Sequence, residues 1–193
     1  MRSIPLALGT LILGTACGRG GAPGAASVSE LHRFGIGRAA TAAELQAWDI
    51  DVMPDGDGLP TGSGTARAGA ELYARKCASC HGPTGMEGPF DRLVGREPRR
   101  GFPFGRDPSL VKTIGNYWPY ATTIYDYINR AMPLYAPGSL QPNEVYGVVA
   151  WLLWRNDIIS DTTIIDARRL PQIEMPARGR FVTDSRRGGT EIR

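Results

Sequence analysis

Residues 77–81 read Cys77-Ala78-Ser79-Cys80-His81, and they restrict what the chain can fold into more than any other stretch. Two cysteines three positions apart, with a histidine directly after the second, form the attachment signal for c-type haem. At a helix end, positions i, i+3 and i+4 share one face, so both thiols and the imidazole can meet a single porphyrin. The thiols would add to its two vinyl groups, and His81 would become the proximal iron ligand. Rival readings need more than the sequence offers. A thioredoxin-like dithiol at Cys77 and Cys80 needs strands of a parallel sheet around it, and no strand periodicity is visible. A zinc site needs two further ligands, and only Cys17 and His32 remain. One covalent haem c is therefore expected.

A sixth iron ligand has to come from the other side of the porphyrin. His32 sits far upstream and reads as a surface histidine. Methionine is the common alternative in electron-transfer cytochromes, where it raises the potential. Met86 follows His81 by too few residues to reach round a porphyrin, and Met53 reads as a packing residue in a turn-rich stretch. Met132 stands immediately before the last helix, an order that suits a chain passing under the haem and climbing over it. Met132 is the expected axial ligand, with Met175, in a similar Met-Pro context, as the alternative.

At 193 residues the chain suits one domain with a sizeable core. A formal charge of +3 gives no support for nucleic-acid binding, which wants a strongly basic face. Residues 1–17 read as an export signal, with Arg2 followed by an apolar run too short to span a membrane. Leu13-Gly14-Thr15-Ala16-Cys17 also resembles a lipoprotein cleavage site, with Gly14 where an aliphatic residue is usual. Lipid anchoring through Cys17 and simple release both stay open, and either places the mature protein in the periplasm. Residues 18–26 read as a flexible tether, and 27–64 as an N-terminal extension packed on the main domain. Residues 65–157 form the expected haem domain, and 158–193 an irregular C-terminal extension.

Only helical periodicity is visible, so the expected class is all-α with long loops. Thr41 and Glu44 make a capping box for a brief helix, ended by the breakers of residues 51–64. Ala66–Cys80 reads as one helix leading into the haem motif. Another fits Thr122–Ala131, capped by Thr122 or Thr123, with Ile124, Tyr127, Ile128 and Ala131 on one face; Met132-Pro133 ends it. Pro142–Trp154 is the clearest helix, with Val145, Val148, Val149, Leu152 and Leu153 on a single apolar stripe.

The order of haem motif, long loop, Met-Pro and final amphipathic helix resembles class I cytochrome c over 65–157. The resemblance implies that the first and last helices of the domain cross, with Gly69 and Tyr73 meeting the Val149, Leu152 and Leu153 side. A closer resemblance rests on FGIGRAAT, AWDIDVMPDGDGLPTGSGT, TIGNYWPYATT, YDYINRAMPLYAPGSL, PNEVYGVVAWLL and IEMPAR. These strings are similar to the c-type cytochromes paired with bacterial molybdenum sulfite dehydrogenases, and to the cytochrome subunit of sulfur dehydrogenase. That family implies single electrons accepted from the molybdenum subunit and passed to a downstream cytochrome or terminal oxidase. Within this picture Tyr117, Trp118 and Tyr120 are candidates to line the haem edge and hydrogen-bond its propionates, with core packing as the other reading of each. Arg92, Arg96, Arg99 and Arg100 are candidates for propionate neutralisation or docking, against the reading of a solvated loop. The functional expectation is an electron carrier, not an enzyme. The alternatives are a carrier serving another periplasmic dehydrogenase, and a haem enzyme with a displaceable methionine.

Overall fold

The computed structural model describes residues 36–182. The expectations for the export signal, the tether, Cys17 and His32 lie outside them. The chain divides into two compact units, 1–40 and 41–193, and the haem motif lies in the second. No helix among the described residues is long and apolar enough to cross a membrane.

Helix α1 (Ala42–Trp48) starts as its sequence requires. The Thr41 hydroxyl accepts from Glu44 N at 3.3 Å, and the Glu44 carboxylate accepts from Thr41 N at 2.8 Å. These bonds satisfy backbone donors that a helix start otherwise leaves without partners. Strand β1 (Ser63–Thr65) leads directly into α2 (Ala66–Lys76), whose cap is Thr65. The expected helix to Cys80 is instead interrupted at Cys77 (φ −119°, ψ −36°) and resumes as the single turn α3 (Ala78–His81). The Cys77 amide still donates to Tyr73 O, and the His81 amide to Cys77 O, both at 2.9 Å. The interruption therefore re-aims the motif while these two bonds keep it tied to α2.

Helix α4 (Ala121–Ala131) is capped by Tyr120 backbone rather than by Thr122 or Thr123. Both hydroxyls are engaged elsewhere: Thr122 donates to Pro54 O and Thr123 to Tyr120 O, each at 3.0 Å. Its buried face carries Ile124, Tyr125, Asp126 and Ile128, while Tyr127 is half exposed. The buried face is thus turned from the expected one toward Tyr125 and Asp126. Helix α5 (Pro142–Arg155) begins with proline in its first turn, and the Gln141 amide donates to Glu144 Oε2 at 2.8 Å.

Every residue of α5 from Val145 to Leu153 is buried. One apolar stripe was expected; the helix is wrapped instead, because α2, α4, β1 and β2 (Ile164–Asp166) all pack against it. A helix enclosed on all sides has to be apolar all round. At about 1.5–3 kcal/mol for each large side chain fully removed from water, α5 is the main source of hydrophobic stabilisation. Where α2 crosses it, a Cβ on Gly69 would collide with the Gly147 carbonyl, so the backbones approach as only glycine permits. Tyr73 stacks on Trp151 with ring centroids 3.7 Å apart. The expected crossing is present, with Gly69 set against Gly147 and Val148 and Tyr73 against Trp151.

Strands β1 and β2 pair antiparallel, with Gly64 opposite Ile165. Three-residue strands carry too little alternation to be read from sequence. The sheet ties the segment after α5 back to the start of the haem helix, and Ile165, Leu170 and Met175 from that segment join the core. Before the haem domain, the Val52 amide donates to Asp126 Oδ1 at 2.8 Å, and Pro60 O accepts from the Tyr146 hydroxyl at 2.9 Å. Residues 51–63 are thereby packed along α4 and α5. Helix α1 is not: none of its residues is buried.

Candidate haem site

The site is built where α2 ends. Cys77 and Cys80 are free thiols, both half-buried. Burial, and secondarily the neighbouring Cys80, pushes the Cys77 thiol up to about 11. A redox-active dithiol has its nucleophilic cysteine shifted the other way; Cys77 instead packs against the core cluster.

His81 is oriented by the loop that follows. Its Nδ1 lies 2.8 Å from Asp91 O. A carbonyl can only accept, so Nδ1 carries the proton and Nε2 keeps its lone pair for a metal. The turn between them is fixed by Gly82, at φ 79°, whose carbonyl accepts from the buried Tyr73 hydroxyl at 3.0 Å. The Glu87 carboxylate accepts from the amides of Thr84 and Met86 at 3.1 and 3.2 Å and from the Thr84 hydroxyl. The Thr84 hydroxyl, outweighing the small effect of burial, and these amides hold Glu87 below its ordinary carboxylate range.

Two buried asparagines hold the long loop in place, and neither was anticipated. Asn156, just past α5, accepts from Gly95 N at 2.9 Å and donates to Leu93 O at 3.2 Å and Leu152 O at 2.8 Å. Asn116 accepts from Thr113 N at 2.8 Å and donates to Val111 O at 3.0 Å and to Glu97 O. A side-chain amide supplies both donors and acceptors, which an irregular buried backbone needs. The sequence signals Asn116 only as a polar residue between Gly115 and Tyr117, and Asn156, flanked by Arg155 and Asp157, not at all.

The aromatic candidates are distributed over two places. Trp118 donates from Nε1 to the Thr123 hydroxyl at 2.8 Å and meets Tyr127 edge-on. Tyr117 stacks with Phe102 and meets Phe104 and Phe181 edge-on. Tyr120 lies under the Arg178 guanidinium, 5.1 Å from the ring centre. Of the loop arginines, Arg92 donates to Met86 O, Arg96 to Asn156 O and Asp157 O, and Arg99 pairs with Glu97 and Asp157. These three brace the loop. Arg100 is exposed.

The two methionine candidates differ in environment. Met132 is the residue closing α4, half-buried at the margin of the core. Met175 is 2% exposed and enclosed within the core cluster. Two thiols, an imidazole with its metal-facing nitrogen unprotonated and a thioether with an open side make a donor set that fits a covalently bound haem. Among the described residues no cluster of three or more His, Cys, Asp or Glu offers a competing metal site.

Comparison with known proteins agrees with this geometry. The family model described as cytochrome C oxidase, cbb3-type, subunit III matches residues 64–152. The solved structure of the sulfane dehydrogenase SoxCD from Paracoccus pantotrophus is similar at 37% identity, with a TM-score of 0.69. The likeness covers 79% of this chain and 73% of that one. No curated protein matches the chain. With the haem motif closing α2, α2 crossed on α5 and this likeness running through most of both chains, the chain belongs to the class I c-type cytochromes, which bind haem c covalently and transfer electrons.

Proposed function

We propose that this protein is a periplasmic monohaem electron carrier that accepts single electrons from a molybdenum sulfite dehydrogenase. It passes them to a downstream cytochrome or terminal oxidase. The observation that carries the reading is the His81 imidazole, fixed by Asp91 O with Nε2 left for iron, beside two thiols at the end of α2. Cys77 and Cys80 would hold the haem, and His81 and Met132 would ligate its iron. Met132 is favoured over Met175 because a ligand's sulfur must face the iron, and Met175 is enclosed by protein on all sides. When bound, the haem supplies a one-electron couple, and methionine raises its potential. Trp118, Tyr117 and Tyr120 line its edge. The chain's own task would be to hold the haem through Cys77 and Cys80 and to supply both iron ligands, His81 and Met132, which suits electron transfer rather than substrate binding. Export follows from residues 1–17, with Cys17 as the point of lipid attachment if a membrane anchor is present.

Likeness to a sulfane dehydrogenase supports a second donor, an enzyme oxidising sulfane sulfur in place of sulfite. One experiment tests the reading and separates the donors. The purified oxidised cytochrome is mixed with the molybdenum sulfite dehydrogenase of the same organism, with sulfite or with thiosulfate. The reduced haem spectrum is expected with sulfite and enzyme together, and with neither alone. Absence of reduction in a protein that dithionite reduces normally would remove this donor. For the ligand, Met132→Ala is expected to abolish the iron–sulfur charge-transfer band of the oxidised protein and to lower the potential. Loss of that band in Met175→Ala instead would reverse the assignment.

A further inference from the structure

Helix α1 has no reason to be helical on its own. An isolated helix shorter than about 12 residues is marginal in water, and a capping box adds only about 1 kcal/mol. All seven residues of α1 are nevertheless exposed, with Leu45 at 61% and Trp48 at 87%. Leu45 and Trp48 stand three apart and so lie on one face. Ile50 and Met53 continue the exposed apolar surface beyond the helix. A tryptophan left so exposed by the described residues marks a candidate anchor for a partner.

The root of this arm is fixed. Val52 is buried and its amide is held by Asp126, and Pro54 O accepts from Thr122. Both partners lie on α4, the helix that ends at Met132. Beyond Met132 the chain exposes a second apolar pair, Leu134 at 53% and Tyr135 at 87%. A partner gripping α1 is therefore tethered, through residues 52–54, to the helix that ends at Met132. Charge indicates what the partner offers. Residues 41–58 hold five carboxylates (Glu44, Asp49, Asp51, Asp55 and Asp57) and no lysine or arginine. Such a stretch is repelled by an anionic lipid surface and complements a basic rim.

We infer that α1 is a docking helix that lays Leu45 and Trp48 into an apolar, basic-rimmed groove of the electron-donating dehydrogenase. The mode is a short amphipathic helix in a groove, with its carboxylates steering encounter. The inference rests on the proposed electron source, and one set of measurements separates the two. Reduction of the cytochrome by the molybdenum sulfite dehydrogenase of the same organism is followed with sulfite in excess, for the full wild-type chain and for Leu45→Ala/Trp48→Ala. Both side chains are exposed, so the variant should keep its melting temperature, haem spectrum and potential. The expected result is a KM for the cytochrome raised at least about tenfold with kcat unchanged. Asp49→Lys is expected to raise KM further at low salt than at high salt. Wild-type reduction with an unchanged KM in the double variant would overturn the docking helix and leave the electron source standing. No reduction of the wild type would overturn both. Two other results would assign α1 to a different occupant and so refute the inference. One is a wild-type dimer, seen by light scattering, that the double variant loses. The other is Trp48-dependent binding to vesicles of phosphatidylglycerol and phosphatidylethanolamine.

Discussion

Asp126 shows how one side chain can join two parts of the molecule. Its carboxylate accepts from Val52 N and from the Arg130 guanidinium, one turn along α4. Burial alone would raise its pKa, but the Arg130 bonds and the Val52 amide overcome this and hold it below the ordinary carboxylate range. The folded protein therefore keeps Asp126 ionised at a pH where the unfolded chain, at about 3.9, has begun to protonate it. Its contribution is complete above that unfolded value and is lost as pH falls through the lower folded value. Asp126→Asn should destabilise the protein at neutral pH by about 1–3 kcal/mol, since the Val52 amide and Arg130 lose a charged acceptor. The deficit should shrink as pH is lowered past 4. Denaturant unfolding at pH 7 and pH 3.5 measures both effects, and an equal deficit at the two values would show that the charge is not what matters. Asp126 was not legible as functional in the sequence, because a charged residue inside a helix is usually solvated. Only the tertiary partner, 74 positions away in the chain, gives it a role.

At the scale of elements, what could be read depended on the length of the repeating pattern. Helix α5 was legible to within a residue because fourteen residues supply nearly four turns of apolar positions, bounded by a proline and a capping glutamate. The three-residue strands were not, and neither was the interruption at Cys77, where good helix formers continue through the break. The crossing of α2 on α5 was expected from the family resemblance, but the glycine contact that fixes its register was not, because glycine packing is invisible to hydrophobic periodicity. Gly69 and Gly147 set that register: the α2 backbone approaches α5 at Gly69 with no room for a Cβ. Gly69→Ala should gain helix propensity of up to about 1 kcal/mol in an isolated α2 and still destabilise the protein by about 1–3 kcal/mol, as overpacked cores do. The variant should also disturb the haem site, since Tyr73 follows on α2 and Cys77 and His81 come directly after it. Thermal melts together with the absorbance of the haem check this. A more stable variant with an unaltered spectrum would mean that α2 can slide along α5 at no cost.

Across the second unit as a whole, two regions are held together in different ways. Helices α2, α4 and α5 and the two strands are packed by protein alone, with Tyr73, Tyr125, Tyr146 and the Val145–Leu153 run fully enclosed. Residues 82–120 contain only one turn of 3₁₀ helix, at Pro103–Gly105. Beside a small apolar set of Val94, Phe104 and Ile114, they are held by point contacts: His81 to Asp91, Asn156 to Leu93 and Gly95, and Asn116 to Thr113, Val111 and Glu97. His81 is held by that loop, and as the proposed iron ligand it would couple covalent attachment to loop order through one imidazole. Binding energy that a folded site receives becomes folding energy for whatever forms the site. Replacing both thiols, as in Cys77→Ala/Cys80→Ala, should therefore not loosen the molecule evenly. Amide hydrogen exchange followed by mass spectrometry should show protection lost first and most in 82–120 and around Met132. Amides of α2 and α5 should keep a large part of theirs, because local opening in regions with few buried apolar contacts costs the least. Even loss over all segments would mean that the protein-packed region cannot stand without the haem, and that the two regions form a single cooperative unit.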